Sequence, residues 1–157
     1  MKKEITQSDV AFDTKLSKLR RFNLIMGFLH LVQSIFMVII TLVVDTPGET
    51  YPVYSNYLTF NRDLGGLVAD TQQIWDAPLG IGIALFLFIS AVAHFFLATF
   101  GFKWYKKSLE KGMNPVRFYE YALSSSLMIV LIGLLVGIND IGAIILAFFV
   151  NASMNLF

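Results

Sequence analysis

Two histidines, one glutamate and a small set of hydroxyl and amide side chains interrupt the apolar stretches of this sequence. They are His30, Gln33 and Ser34; Ser90 and His94; Glu120 with Ser124, Ser125 and Ser126 behind it; and Asn151, Ser153 and Asn155. Three kinds of chemistry use such residues. Two histidines on neighbouring helices can ligate a haem iron from its two faces. A carboxylate followed by hydroxyls can relay protons, and the same carboxylate can serve as counter-ion to a buried organic cation. Haem ligation leaves Glu120 and the serines idle, and a relay uses every residue but names no substrate. Phe118, Tyr119, Tyr121 and Met128 around Glu120 favour a long apolar cation. Each residue also has a plainer reading. Arg117, three positions before Glu120, can pair with it on one helix face at the membrane surface. Isolated membrane histidines bond a neighbouring helix, and serines let helices approach closely.

The elements that must position these residues are membrane helices. Of 157 residues, 56% are hydrophobic and 15% charged, and the mean hydropathy of +0.66 excludes an ordinary soluble domain. Residues 22–44, 77–102, 115–138 and 141–157 form four apolar segments near the roughly 20 residues that a bilayer crossing needs. An all-α protein with four transmembrane helices is therefore expected, as one membrane domain. Pro78 and Pro115 fall near helix starts, where a missing N–H costs little. The first segment is too long for a cleavable signal and has no small-residue cleavage site before Asp45, so it stays in the membrane. Cysteine is absent, which excludes disulfides and cysteine-ligated metals.

Charge orients the segments. Lys2, Lys3, Lys15, Lys18, Arg20 and Arg21 precede the first, and Lys103, Lys106, Lys107, Lys111 and Arg117 lie between or at the edges of the second and third. The opposite side has Asp45, Glu49, Asp63, Asp70, Asp76 and Asp140 against Arg62 alone. The tail 1–21 and the link 103–114 are thus expected in the cytoplasm, in a multi-pass cell-membrane protein. Basic residues beside a membrane helix are topology signals or anionic-lipid contacts, and no nucleic-acid partner is expected. The outer segment 45–76 is too long for a simple connector. TYPVYSNYLTF, the turn-forming NRDLGG and GLVADTQQIW read as a β-hairpin whose edges and tyrosines offer a dimer contact. An irregular aromatic loop at the headgroup level is the alternative.

With this orientation, depth follows from the helical rise of about 1.5 Å per residue. His30, eight positions past Phe22, and His94, eight before Phe102, both lie about 12 Å from the cytoplasmic face. Glu120 lies about 8 Å deep, and Ser124 and Ser125 about 14 to 15 Å. The ionisable groups of three helices share one layer, the pattern of a hydrated polar cavity.

Taken together, KLRRFNLIMGFLHLVQSIFM (18–37), the tyrosine-rich outer segment, ISAVAHFFLA (89–98) and NPVRFYEYALSSSLMIVLI (114–132) resemble the heliorhodopsins, the microbial-rhodopsin branch with inverted topology. The resemblance covers all four apolar segments, and its most specific part is the motif around Glu120. It implies a light-sensing, non-enzymatic membrane protein that binds retinal, all-trans in the dark, and forms a homodimer through the outer hairpin. It assigns Glu120 as counter-ion of the protonated retinal Schiff base, His30 and His94 to a polar cavity beside it, Ser125 and Met128 to the border of retinal, and Asn151 to a polar position in the pocket. No second acid lies deep in the outer half of the third segment, so signalling to an unknown partner is expected rather than ion pumping. The family has seven helices and attaches retinal to a lysine of the seventh. Here Lys2, Lys3, Lys15, Lys18, Lys103, Lys106, Lys107 and Lys111 all lie outside the apolar segments, so none is a Schiff-base lysine, and the sequence is expected to be the N-terminal portion of a heliorhodopsin. The rival expectation is a self-contained four-helix membrane protein, a haem-binding electron carrier through His30 and His94 or a structural subunit.

Overall fold

The computed structural model describes residues 7–44 and 50–157. Lys2, Lys3, Asp45 and Glu49, which entered the charge argument, lie outside the described residues. Five helices and one hairpin follow each other as α1 (Gln7–Val43), β1 (Thr50–Asn61), β2 (Gly66–Pro78), α2 (Leu79–Ala98), α3 (Phe102–Glu110), α4 (Pro115–Leu135) and α5 (Ile141–Leu156). Helix α1 packs on α2, α2 on α4 and α4 on α5.

Burial in this bundle is inverted relative to a water-soluble fold. Asn23, Ser34, Ser90, Ser124 and Ser126 are buried between helices, whereas Ile25, Phe28, Val32, Leu42, Phe88 and Ile132 point outward and are exposed. Lipid explains both halves of the pattern, because apolar tails cost nothing in hydrocarbon and polar groups must find partners inside the bundle. Three helices, α1 over Thr14–Val43, α2 and α4, are long and apolar enough to cross a bilayer. The expected fourth crossing segment is a shorter helix. Helix α5 has 16 residues, about 24 Å of rise against a hydrocarbon core of about 30 Å.

Local chemistry sets the helix ends. Pro115 occupies the first turn of α4, where its missing N–H is no loss. At the other end Gly137 takes a φ of 90°, and the Gly137 and Ile138 N–H groups bond back to Leu134 O and Gly133 O, a Schellman stop. Asp140 caps α5 by accepting from Ala143 N at 3.0 Å. Helix α2 starts at Leu79 rather than Ala77, because Ala77 and Pro78 still belong to β2, paired with Tyr51 and Thr50. It stops at Ala98, and the 103–114 link contains α3, which the sequence reading treated as plain connection. Two glycines permit close helix contact: a Cβ on Gly80 would strike the Thr41 side chain of α1, and one on Gly82 would strike Leu131 of α4.

The hairpin expected from the sequence is present. Strands β1 and β2 pair antiparallel from Thr50↔Pro78 to Asn61↔Gly66, with one register shift beside Val53/Tyr54 that leaves Ile74 as the extra residue. Asn61 Oδ1 accepts from the N–H groups of Asp63 and Leu64, and Gly65 supplies a φ of 65° to close the turn. The hairpin base is anchored on the helices. Val53 is 2% exposed and packs with Ala77 and Leu134, Tyr54 N donates to Asn139 O at 2.8 Å, and Asn56 Nδ2 donates to Asp140 Oδ2 at 2.8 Å.

Candidate functional site

Asn23 and His30 stand seven residues apart on α1, which places them on one face two turns apart. Ser90 and His94 are one turn apart on α2, as are Glu120 and Ser124 on α4. Helix packing brings these faces together. Ser90 Oγ donates to Glu120 Oε1 at 2.9 Å, and Ser124 Oγ donates to the same oxygen at 3.4 Å. The rings of His30 and His94 stack, with centroids 5.6 Å apart and planes inclined by 16°. His94 Nδ1 lies 3.0 Å from Asn23 Oδ1, and His30 Nδ1 lies 3.2 Å from Gln33 Oε1. Both contacts engage the Nδ1 atom of the ring, with donor and acceptor set by the tautomer.

These groups face a cavity of about 570 Å³, within the usual size of a small-molecule site. Phe22, Met26, Phe86 and Met128 give it apolar walls, while Glu120, Ser90, Ser124, Ser125, His30 and His94 supply polar groups. Tyr105 of α3 closes part of it; burial pushes its phenol above its ordinary pKa, so the group is a neutral donor. Both hydrogen bonds to Glu120 fall on Oε1, which leaves Oε2 uncommitted. An apolar enclosure with one carboxylate oxygen to spare suits a long apolar group that carries positive charge at one end.

The structure therefore gathers His30, His94, Glu120, Ser125 and Met128 around one cavity. Asn151 reaches it through Ser125: its Nδ2 donates to Ser125 Oγ at 2.7 Å and to Ser126 Oγ at 3.1 Å, while Asn155 Nδ2 donates to Ser125 Oγ at 3.1 Å. One plainer expectation is corrected. Arg117 does not pair with Glu120; its Nε donates to Tyr121 Oη at 2.8 Å and its guanidinium lies over that ring, because a spacing of four brings Tyr121 into reach. The haem alternative is not favoured: the His30 and His94 rings lie face to face, with their Nδ1 atoms engaged by Gln33 and Asn23, rather than with two ring nitrogens directed at a common point. Among the described residues no group of three His, Cys, Asp or Glu side chains could hold a metal ion.

Besides apolar wall residues such as Met26 and Phe86, sequence reasoning missed three polar members of the site: Asn23, Tyr105 and Asn114. Asn23 is 5% exposed, and its seven-residue spacing from His30 was the available signal. Tyr105 was hidden in a lysine-rich link, where only the apolar spacing Phe102, Tyr105, Leu109 betrays a helix face. Asn114 lines the cavity but precedes Pro115, where an asparagine reads first as a turn residue.

The heliorhodopsin family model matches residues 19–157, which takes in the hairpin, all of α2 to α5 and α1 from Leu19 onward. No curated protein matches the chain. With the match spanning every side chain of the cavity described above, the chain belongs to the heliorhodopsin family.

Proposed function

We propose that the protein is a retinal-binding light sensor that signals to a partner, with Glu120 as the counter-ion of a protonated retinal Schiff base. The observation that carries this reading is the Glu120 carboxylate, held through Oε1 by Ser90 and Ser124 at the polar end of an otherwise apolar cavity, in a family whose members bind retinal. Bound retinal would supply a light-driven isomerisation. The chain's own part is electrostatic: Glu120 stabilises a nearby positive charge, Ser90 and Ser124 fix the carboxylate, and Tyr105 narrows access from one end. His30 and His94 belong to the polar layer around Glu120 toward which a proton leaving the charged end moves. Ser125, Met128 and Asn151 shape the wall beside it.

The lysine that binds retinal is not among residues 1–157 in this reading. Lys103, Lys106, Lys107 and Lys111 lie outside the three apolar spans, Lys15 and Lys18 stand exposed in α1 ahead of the apolar run that begins at Phe22, and Lys2 and Lys3 belong to the tail. Four membrane crossings with α5 as the fourth, a cytoplasmic N-terminus set by the basic flanks, and a homodimer through the hairpin complete the reading. Exposed Leu58, Phe60, Leu67 and Trp75 on the hairpin support the last. The test is spectral. In a protein extended through its lysine-bearing helix and loaded with all-trans retinal, Glu120→Gln shifts the absorption maximum to longer wavelength. An unchanged maximum would remove Glu120 from the counter-ion role. Residues 1–157 alone, given retinal, form no hydroxylamine-sensitive pigment.

A further inference from the structure

Helix α3 has two unlike faces. Tyr105 and Ser108 are buried against the bundle, and Tyr105 forms part of the cavity wall. On the opposite side Lys103, Lys107 and Lys111 are exposed at spacings of four, which sets their ammonium groups in one row. Trp104 stands beside them, 45% exposed. From residue 99 to 117 there are five basic residues and one acid, Glu110, so the row has little internal neutralisation and its like charges repel.

The surroundings identify the medium that this row meets. Phe100 is 94% exposed and Met113 54% exposed, one at each end of α3. Apolar side chains that flank a lysine row would be a liability in water, but they seat naturally at the boundary between headgroups and acyl chains, where tryptophan is also enriched. The connections fix the level. Helix α2 ends four positions before α3 begins, and α4 begins five positions after α3 ends, so the helix is held where its two apolar neighbours leave the bilayer. We propose that the Lys103–Lys107–Lys111 face of α3 binds the phosphate headgroups of anionic phospholipids, with Trp104 seated among the lipids beside them. The inference rests on the membrane reading of α2 and α4 but not on retinal, nor on which leaflet α3 faces. Because Tyr105 projects from the other side of the same helix, headgroup binding also braces one wall of the cavity.

Trp75 and Trp104 are the only tryptophans, so Trp75→Phe leaves a single emitter on α3. This variant is placed in nanodiscs of phosphatidylcholine with a minor fraction of phosphatidylglycerol, and bromine is carried on the acyl chains of one lipid or the other. Brominated phosphatidylglycerol is expected to quench Trp104 as though enriched about fivefold over its bulk fraction, the factor that one lysine contributes at a charged surface. The enrichment falls to unity in Lys103→Gln/Lys107→Gln/Lys111→Gln and at high salt. Quenching in the bulk ratio, or enrichment that survives the triple variant, overturns the proposal. Quenching by neither lipid overturns it as well, by placing α3 away from the bilayer. Failure of the membrane reading itself shows separately, as loss of the chain from the nanodisc fraction.

Discussion

Helix α5 packs on α4 with half-buried residues only, Ile144, Ala147 and Ala152 among them, so side-chain hydrogen bonds carry a large share of its hold and removing them should loosen it. Three such bonds cross the interface: Asn151 to Ser125, Asn151 to Ser126 and Asn155 to Ser125. Hydrogen bonds between membrane helices average about 0.6 kcal/mol each, which gives about 2 kcal/mol for the set. At about 1.4 kcal/mol per tenfold, Asn151→Leu/Asn155→Leu should raise the ratio of undocked to docked α5 about 30-fold. The sequence has no cysteine, so spin labels at Ile129→Cys and Phe149→Cys, both exposed positions, report the separation of α4 and α5 cleanly. A second, longer distance should grow in the leucine variant. Ser125→Ala/Ser126→Ala should do more damage, because it strips the Asn151 amide of both its partners in hydrocarbon while Asn155 falls back on Asn151 O, whereas the leucines leave hydroxyls that can bond their own helix, as Ser125 Oγ does with Tyr121 O. A distance distribution unchanged in the leucine variant, or a serine variant milder than it, would refute this account of α5 docking.

Other consequences are open to measurement. Backbone N–H donation from Ala143, then the Asn56 amide, hold the Asp140 carboxyl below its ordinary value of 3.8; a depressed carboxyl keeps its stabilising effect above that value and loses it as pH falls through the lower folded one. Trp75 emission should therefore stay flat on acidification until below 3.8 and then shift, and a transition centred near neutrality would contradict the role given to Asp140. The hydrogen bond with Asp70, followed by its charge, raises the pKa of Tyr57 above 10.0, so alkaline titration of phenolate absorbance should show a late tyrosine that Asp70→Asn moves back toward 10.0. Gly82→Val would press on Leu131 and cost about 1 to 3 kcal/mol by overpacking. Thermal unfolding in a bilayer should show part of that loss recovered by adding Leu131→Ala, and two losses that simply add would deny the contact.

The hairpin and the polar layer were legible because each depends on local or near-local pattern. The turn at Asn61–Gly66 carries its own chemistry in Asn61 and Gly65, β-branched and aromatic residues crowd the first arm, and Val68, Thr71, Ile74 and Trp75 mark the second. The level placement of His30, His94 and Glu120 needed only helical rise and chain direction. What the sequence could not give was partner choice. Glu120 has Arg117 at three and Ser124 at four residues on its own helix, yet its shortest bond comes from Ser90, thirty residues away, while Arg117 turns to Tyr121. That choice depends on how α2 rotates against α4, which Gly82 and Leu131 determine through packing. Helix α3 escaped because a composition dominated by lysine hides an apolar face of only a few residues, and Asn23 because it sits at the very start of the apolar run, where an asparagine reads as an end signal.

The positions of Glu120 and the histidines are constrained from both ends of the bundle. At one end Arg20 Nε donates to Ala98 O at 2.8 Å and the guanidinium lies over the Phe102 ring at 5.0 Å, so α1 is pinned to the C-terminus of α2, where a cation meets the negative end of the helix dipole. Asn23, three residues on from Arg20, then meets His94, four residues before Ala98, and the histidine stack follows. At the other end the hairpin fastens to the junction of α4 and α5 through Tyr54, Asn56 and Asp140, and Val53 packs on Leu134 of α4. The helices are thus fixed near their ends, with the polar layer nearer the α3 end of the membrane-spanning segments. A carboxylate can stabilise a neighbouring charge without reorganising only when its own donors are already in place. The shared acceptor Oε1 of Glu120, reached from α2 and α4 together, has that arrangement because the clamps lie outside the cavity and both donors fall on one oxygen.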